Sequence, residues 1–86
     1  MSDGTHSVTL LTRAGCGLCT VALEHLRAIC ADFGIAPGTV DVDAVADTDP
    51  GLRAEYGDRL PVVLLDGREH SYFDVDEGRL RADLSR

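Results

Sequence analysis

Ser7-Val8-Thr9-Leu10-Leu11-Thr12-Arg13-Ala14-Gly15-Cys16-Gly17-Leu18-Cys19 carries different residue patterns on either side of a glycine. Ser7 to Thr12 is short, β-branched and partly alternating, which predicts a strand. Ala14-Gly15 ends it. From about Gly17 to Phe33 the apolar positions Cys19, Leu23, Leu26, Cys30 and Phe33 recur at spacings of 4, 3, 4 and 3, one stripe of a helix. Gly34 supplies a C-cap and Pro37 forbids continuation. A strand handing over to a helix therefore sets two cysteines at the helix start.

Downstream, Thr39 to Asp43 alternates again, with Val40 and Val42 on one face of a second strand. Asp49-Pro50 reads as an N-cap followed by proline at the first helical position. Leu52 and Tyr56 share a face of that short helix, and Gly57 closes it. Leu60 to Leu65 is an apolar run with Pro61 at its start, the place where a strand tolerates proline. Asp66-Gly67 then makes a tight hairpin into a fourth strand, about Glu69 to Tyr72. The last segment is helical, with Leu80 and Leu84 inward. Its start has two readings: a capping box of Asp74 with Glu77, or an Asp76 cap with Val75 and Leu80 as a hydrophobic staple.

The order β-α-β-α-β-β-α predicts an α/β fold. A right-handed crossover makes the first two strands a parallel pair, and the hairpin adds an antiparallel pair. The result is a four-stranded mixed sheet with helices on both faces. One domain is expected over residues 1–86, with a flexible terminus at 1–6.

Composition narrows the function classes. With 86 residues, 44% apolar and 27% charged, the chain suits a single globular domain. No apolar run approaches the roughly 20 residues that span a bilayer. Met1 to Ser7 is polar and offers no secretory apolar region, so a cytoplasmic protein is expected. The formal charge is −7, and every one of the eight basic residues is Arg. Such a surface disfavours nucleic acid and anionic membrane, and without lysine there is no Schiff-base or Walker-type chemistry. Three cysteines, two of them too close to close a useful loop, are not a secreted disulfide framework.

The C-x-x-C pair is where chemistry is expected. A helix N-terminus carries unpaired N–H groups and partial positive charge, which stabilise the first sulfur as thiolate. Cys16 is then the nucleophile that forms a mixed disulfide, and Cys19, more buried and one turn on, resolves it. Half of a zinc site is the competing reading of any lone C-x-x-C. Cys30 and His6, His25 and His70 are the other candidate ligands, but Cys30 lies about 16 Å along the helix from Cys19. No metal site is expected.

The run Leu11 to Cys19, with Leu60-Pro61-Val62-Val63 further on, resembles the glutaredoxin family of the thioredoxin superfamily, and most of all its small bacterial members. That resemblance implies a thioredoxin-like fold and a redox-active Cys16–Cys19 disulfide. It also implies a cis proline at Pro61 facing the dithiol, with Leu60 pairing to substrate through its backbone. Three departures stand out. Gly17-Leu18 replaces the family's Pro-Tyr, the bulky Tyr72-Phe73 replaces its Gly-Gly, and Arg13 replaces a Lys common before the motif. They argue against glutathione specificity and leave the dithiol chemistry untouched.

Arg13 is a candidate clamp for a substrate carboxylate, and Asp74 or Asp76 for an α-amino group. Arg59 reads either as a further substrate contact or as a surface salt bridge. Cys30 lies on the apolar stripe and reads as a buried small hydrophobe. His25 is expected in solvent and His6 in a mobile terminus. The acidic run Asp41, Asp43, Asp47 and Asp49 lacks calcium-loop spacing and reads as solvated charge.

The expected function is a monomeric thiol–disulfide oxidoreductase acting on disulfide-containing proteins or small thiols. It would bind no cofactor and draw electrons from glutathione, another low-molecular-weight thiol or a flavoprotein reductase. Two alternatives stay open. One is a thioredoxin-fold binding module or redox sensor with little turnover. The other, which some relatives suggest, is an iron–sulfur cluster bridged by two chains through Cys16 and a small thiol.

Overall fold

The computed structural model describes residues 6–86. Val8–Thr12 forms β1, Gly17–Ala31 α1, Gly38–Asp41 β2, Pro50–Tyr56 α2, Val62–Leu65 β3, Arg68–Tyr72 β4 and Glu77–Leu84 α3. The four strands lie in the order β2-β1-β3-β4, with β1 parallel to β2 and antiparallel to β3. Asp66 and Gly67 have φ of 54° and 85°. Two consecutive positive φ values are what a two-residue hairpin requires, which explains the Asp-Gly pair between β3 and β4.

β1 is a central strand covered on both faces, so the neighbours Leu10 and Leu11 are both buried although they point opposite ways. On one face Val8, Leu10 and Val63 pack with Ala22, Leu26, Ile29 and Cys30 of α1 and Leu80 and Leu84 of α3. On the other, Leu11, Val42 and Val62 pack with Leu52 and Tyr56 of α2.

The buried face of α1 differs from the expected stripe. It comprises Cys19, Ala22, Leu26, Ile29 and Cys30, while Leu23 and Phe33 are only partly covered. Phe33 falls in the turn beyond the helix, where the helical angle per residue no longer applies. Leu23 stands at the margin of an open cleft beside Cys16. At α3 the structure selects the staple. The Asp76 side chain accepts the Arg79 N–H at 3.3 Å, and Val75 and Leu80 are buried together. Asp74 caps nothing on the helix; it accepts the N–H of Val75 at 2.7 Å.

Of the terminus expected to be flexible, residues 1–5 lie outside the described residues and His6 is held. Its Nδ1 is 2.7 Å from Asp66 Oδ2, and its Nε2 is 3.3 Å from the Arg86 carbonyl oxygen. The sequence could not show that the hairpin turn and the C-terminus meet there. Hydrogen bonding to Asp66, then to Arg86, raises the His6 pKa. The Ser7 N–H, then His6, lower that of Asp66. A raised histidine stabilises below its unfolded pKa and loses that effect as pH rises through the folded one. A lowered carboxylate stabilises above its unfolded pKa and loses it as pH falls through the folded one. The pair is therefore at full strength between about pH 4 and 6.5. His6→Ala should lower the melting temperature more at pH 5.5 than at pH 8.5. Equal losses at both would show that the pair does not titrate with folding.

Candidate active site

The turn from β1 into α1 places the dithiol. The Cys16 N–H bonds to the Arg13 carbonyl at 3.3 Å, and Gly15 between them has φ of 78°. A side chain there would be strained, so glycine makes the turn. Cys16 is the N-cap of α1, with extended φ of −88° and ψ of 102°. Its sulfur does what a serine or aspartate oxygen does at other caps: it accepts the N–H of Cys19 at 3.1 Å. No acidic residue sits in the first turn of the helix to oppose negative charge.

Cys16 and Cys19 are joined as a disulfide, with their Cα atoms 5.2 Å apart. Cys16 is half-buried, whereas Cys19 is only 4% exposed. An incoming group thus meets Cys16 first, with Cys19 one helical turn behind. Cys30 is fully buried, and burial pushes its thiol pKa up, which suits a packing role.

The Leu60–Pro61 peptide is cis. Leu11 pairs with Val62 across β1 and β3, so one step further sets Pro61 opposite Thr12, at the sheet end that carries the dithiol. Pro61 is buried and Leu60 half-buried. The Pro61 carbonyl accepts the Phe73 N–H at 2.7 Å. Phe73 has φ of 67°, an uncommon conformation for a bulky residue, and its ring meets Tyr72 edge-on at 5.2 Å. Tyr72 and Phe73 are exposed, as are Leu18 and Val21 on the first turns of α1.

The remaining candidates are divided between two clefts. Arg13 lines a cleft of about 460 Å³ with Thr12, Gly15, Cys16, Cys19 and Thr39. Asp74 and Asp76 border another, of about 530 Å³, along β4 and the start of α3. Leu60 and Pro61 line neither.

Arg13 is also already engaged. Its Nε and Nη2 donate to the two Asp43 oxygens at 2.9 and 3.1 Å, and its Nη1 to the Gly57 carbonyl at 3.3 Å. Hydrogen bonding to Arg13 holds the Asp43 carboxyl below the usual carboxylate range. Arg59 faces Glu69, Glu55 and Asp58 at 3.3, 3.5 and 3.9 Å, so it forms a surface ion-pair cluster. His25 pairs with Glu77 at 2.8 Å rather than standing free in solvent. Among the described residues, no group of three or more His, Cys, Asp or Glu is placed to hold a metal ion. Nor is any described helix long and apolar enough to cross a membrane.

Asp43 is the residue that sequence reasoning passed over, because it looked like one member of a solvated acidic run. The usable signal was the parallel pairing of β1 and β2. Thr12 lies opposite Asp41, so the residues following each strand leave the sheet side by side.

Residues 7–85 match the family model described as Glutaredoxin-like domain (DUF836). The chain belongs to this glutaredoxin-like family. Uncharacterized proteins of Mycobacterium bovis and Mycobacterium tuberculosis are each 61% identical to this glutaredoxin-like domain over 80 residues, covering 92% of it and 82% of the relative. An X-ray structure of a structural-genomics target from X. campestris superposes with a TM-score of 0.66 at 36% identity, over 92% of this chain and 96% of that one. Fasciola hepatica thioredoxin, at 24% identity, superposes with a TM-score of 0.56 over 98% of this chain and 82% of its own, a likeness of fold. The α/β thioredoxin-like architecture is thereby shown.

Proposed function

We propose that this glutaredoxin-like domain is a thiol–disulfide oxidoreductase working through Cys16 and Cys19. The observation that carries the reading is the Cys19 N–H aimed at the Cys16 sulfur at 3.1 Å, with the second sulfur buried behind the first. In the reduced protein a hydrogen bond to the charged form, together with the helix terminus, favours the Cys16 thiolate.

The reaction runs in two exchanges. The Cys16 thiolate attacks one sulfur of a substrate disulfide, forming a mixed disulfide and expelling the other sulfur as thiolate. Cys19 loses its proton and attacks the Cys16 sulfur. This closes the Cys16–Cys19 disulfide and releases the second substrate thiolate; solvent protonates the products. Two electrons pass from the dithiol to the substrate. A low-molecular-weight thiol or a flavoprotein reductase would return them. The domain would act as a cytoplasmic monomer without a bound cofactor, with Leu60, ahead of the cis Pro61, offering its backbone to the substrate.

The test is the pH dependence of Cys16 alkylation in the reduced protein carrying Cys30→Ala. A midpoint well below the thiol reference of about 8.5 is expected. A midpoint at or above that value would overturn the catalytic reading in favour of a binding module or slow sensor.

A further inference from the structure

A guanidinium beside a reactive sulfur is a natural seat for a substrate carboxylate, because its paired N–H groups match two carboxylate oxygens. In this domain Asp43 holds that seat. The Arg13–Asp43 pair is two-pronged, at 2.9 and 3.1 Å, which is the contact a substrate carboxylate would otherwise make. Asp43 is itself positioned. Its N–H and that of Ala44 both donate to Asp41 Oδ1, at 2.9 and 3.1 Å, and Arg53 stands 3.6 Å from its Oδ1. Arg59, the cation next to Leu60-Pro61, faces three carboxylates of its own. The chain as a whole carries −7.

We propose that Asp43 is a specificity-determining residue: by occupying Arg13 in the cleft of Cys16, it turns the dithiol away from carboxylate-bearing small disulfides such as glutathione disulfide and toward uncharged or cationic protein segments. The proposal rests on the oxidoreductase reading above. Glutathione carries more carboxylates than amines, so it meets a cleft whose guanidinium is taken, on a chain whose formal charge is −7. A protein segment with apolar or basic residues beside its cysteine needs no such clamp.

The experiment compares single-turnover oxidation of the reduced full chain by glutathione disulfide and by uncharged bis(2-hydroxyethyl) disulfide. In each case one dithiol and one disulfide give the Cys16–Cys19 disulfide and two small thiols. The uncharged reagent reports Cys16 nucleophilicity alone, so the ratio of the two rate constants isolates recognition. Asp43→Ala should raise the ratio of the glutathione rate to the uncharged rate roughly 1.5- to 5-fold, the range of an exposed ion pair. The gain should shrink in high salt and disappear in Arg13→Ala/Asp43→Ala. Asp43→Asn, which retains the shape and loses the charge, should show a gain of the same sign and guards against misfolding of the alanine variant. A ratio unchanged in both single variants, with the wild type oxidised normally by the uncharged disulfide, overturns this proposal and leaves the oxidoreductase reading standing. A wild type that neither disulfide oxidises overturns that reading, and this one with it.

Discussion

Cys16→Ser should lower disulfide reductase activity by at least about 10³-fold, because an alcohol is not a thiolate at neutral pH and the other thiol of the cleft, Cys19, is buried. Cys19 cannot substitute for it. It is 4% exposed, and its own N–H points at the sulfur position of residue 16. Cys19→Ser should behave differently. The first exchange still occurs at Cys16, but the internal thiol that releases the product is gone. The variant should therefore accumulate a mixed disulfide with a cysteine-containing peptide, visible as added mass that dithiothreitol removes. Turnover in Cys16→Ser close to wild type would end the assignment. No trapped species in Cys19→Ser would show that release does not depend on the second cysteine.

The second large effect concerns the scaffold. Leu26 is fully buried in the core between the sheet, α1 and α3. Leu26→Ala should cost about 2–5 kcal/mol, from lost burial and the cavity left behind. A domain of 86 residues is expected to have only about 4–13 kcal/mol in total. The melting temperature should fall by roughly 10–30 °C. Leu18→Ala is the matched control. Leu18 is 64% exposed, so that change should stay within about 0.5 kcal/mol although the residue deleted is the same. A fall below about 5 °C for Leu26→Ala would mean that the core relaxes around the gap. Because α1 carries the dithiol on its first turn, thermal loss of its packing should also be loss of the site.

Local chemistry explains why so much was legible beforehand. The switch of pattern at Gly15 depends on backbone geometry within a few residues, so β1, α1 and the cysteines at their junction could be read directly. Asp66-Gly67 met the demand for two positive φ values, and Pro50 and Gly57 bounded α2, for similarly local reasons. The cis peptide at Pro61 followed from a family resemblance, and the structure agrees.

What the sequence by itself determined is therefore the set of elements, their order and the placing of Cys16 and Cys19 at a helix start. Each follows from interactions spanning a few residues of chain. Only the tertiary structure decided that β1 and β3 are central, that His6 meets Asp66 and Arg86, and that Asp76 rather than Asp74 caps α3. It alone decided that Arg13 is held by Asp43, thirty residues away. A charged side chain finds its partner across space, through strand pairing that composition and periodicity do not encode. The element carrying the reactive sulfur was thus readable, and the charge of its surroundings was not.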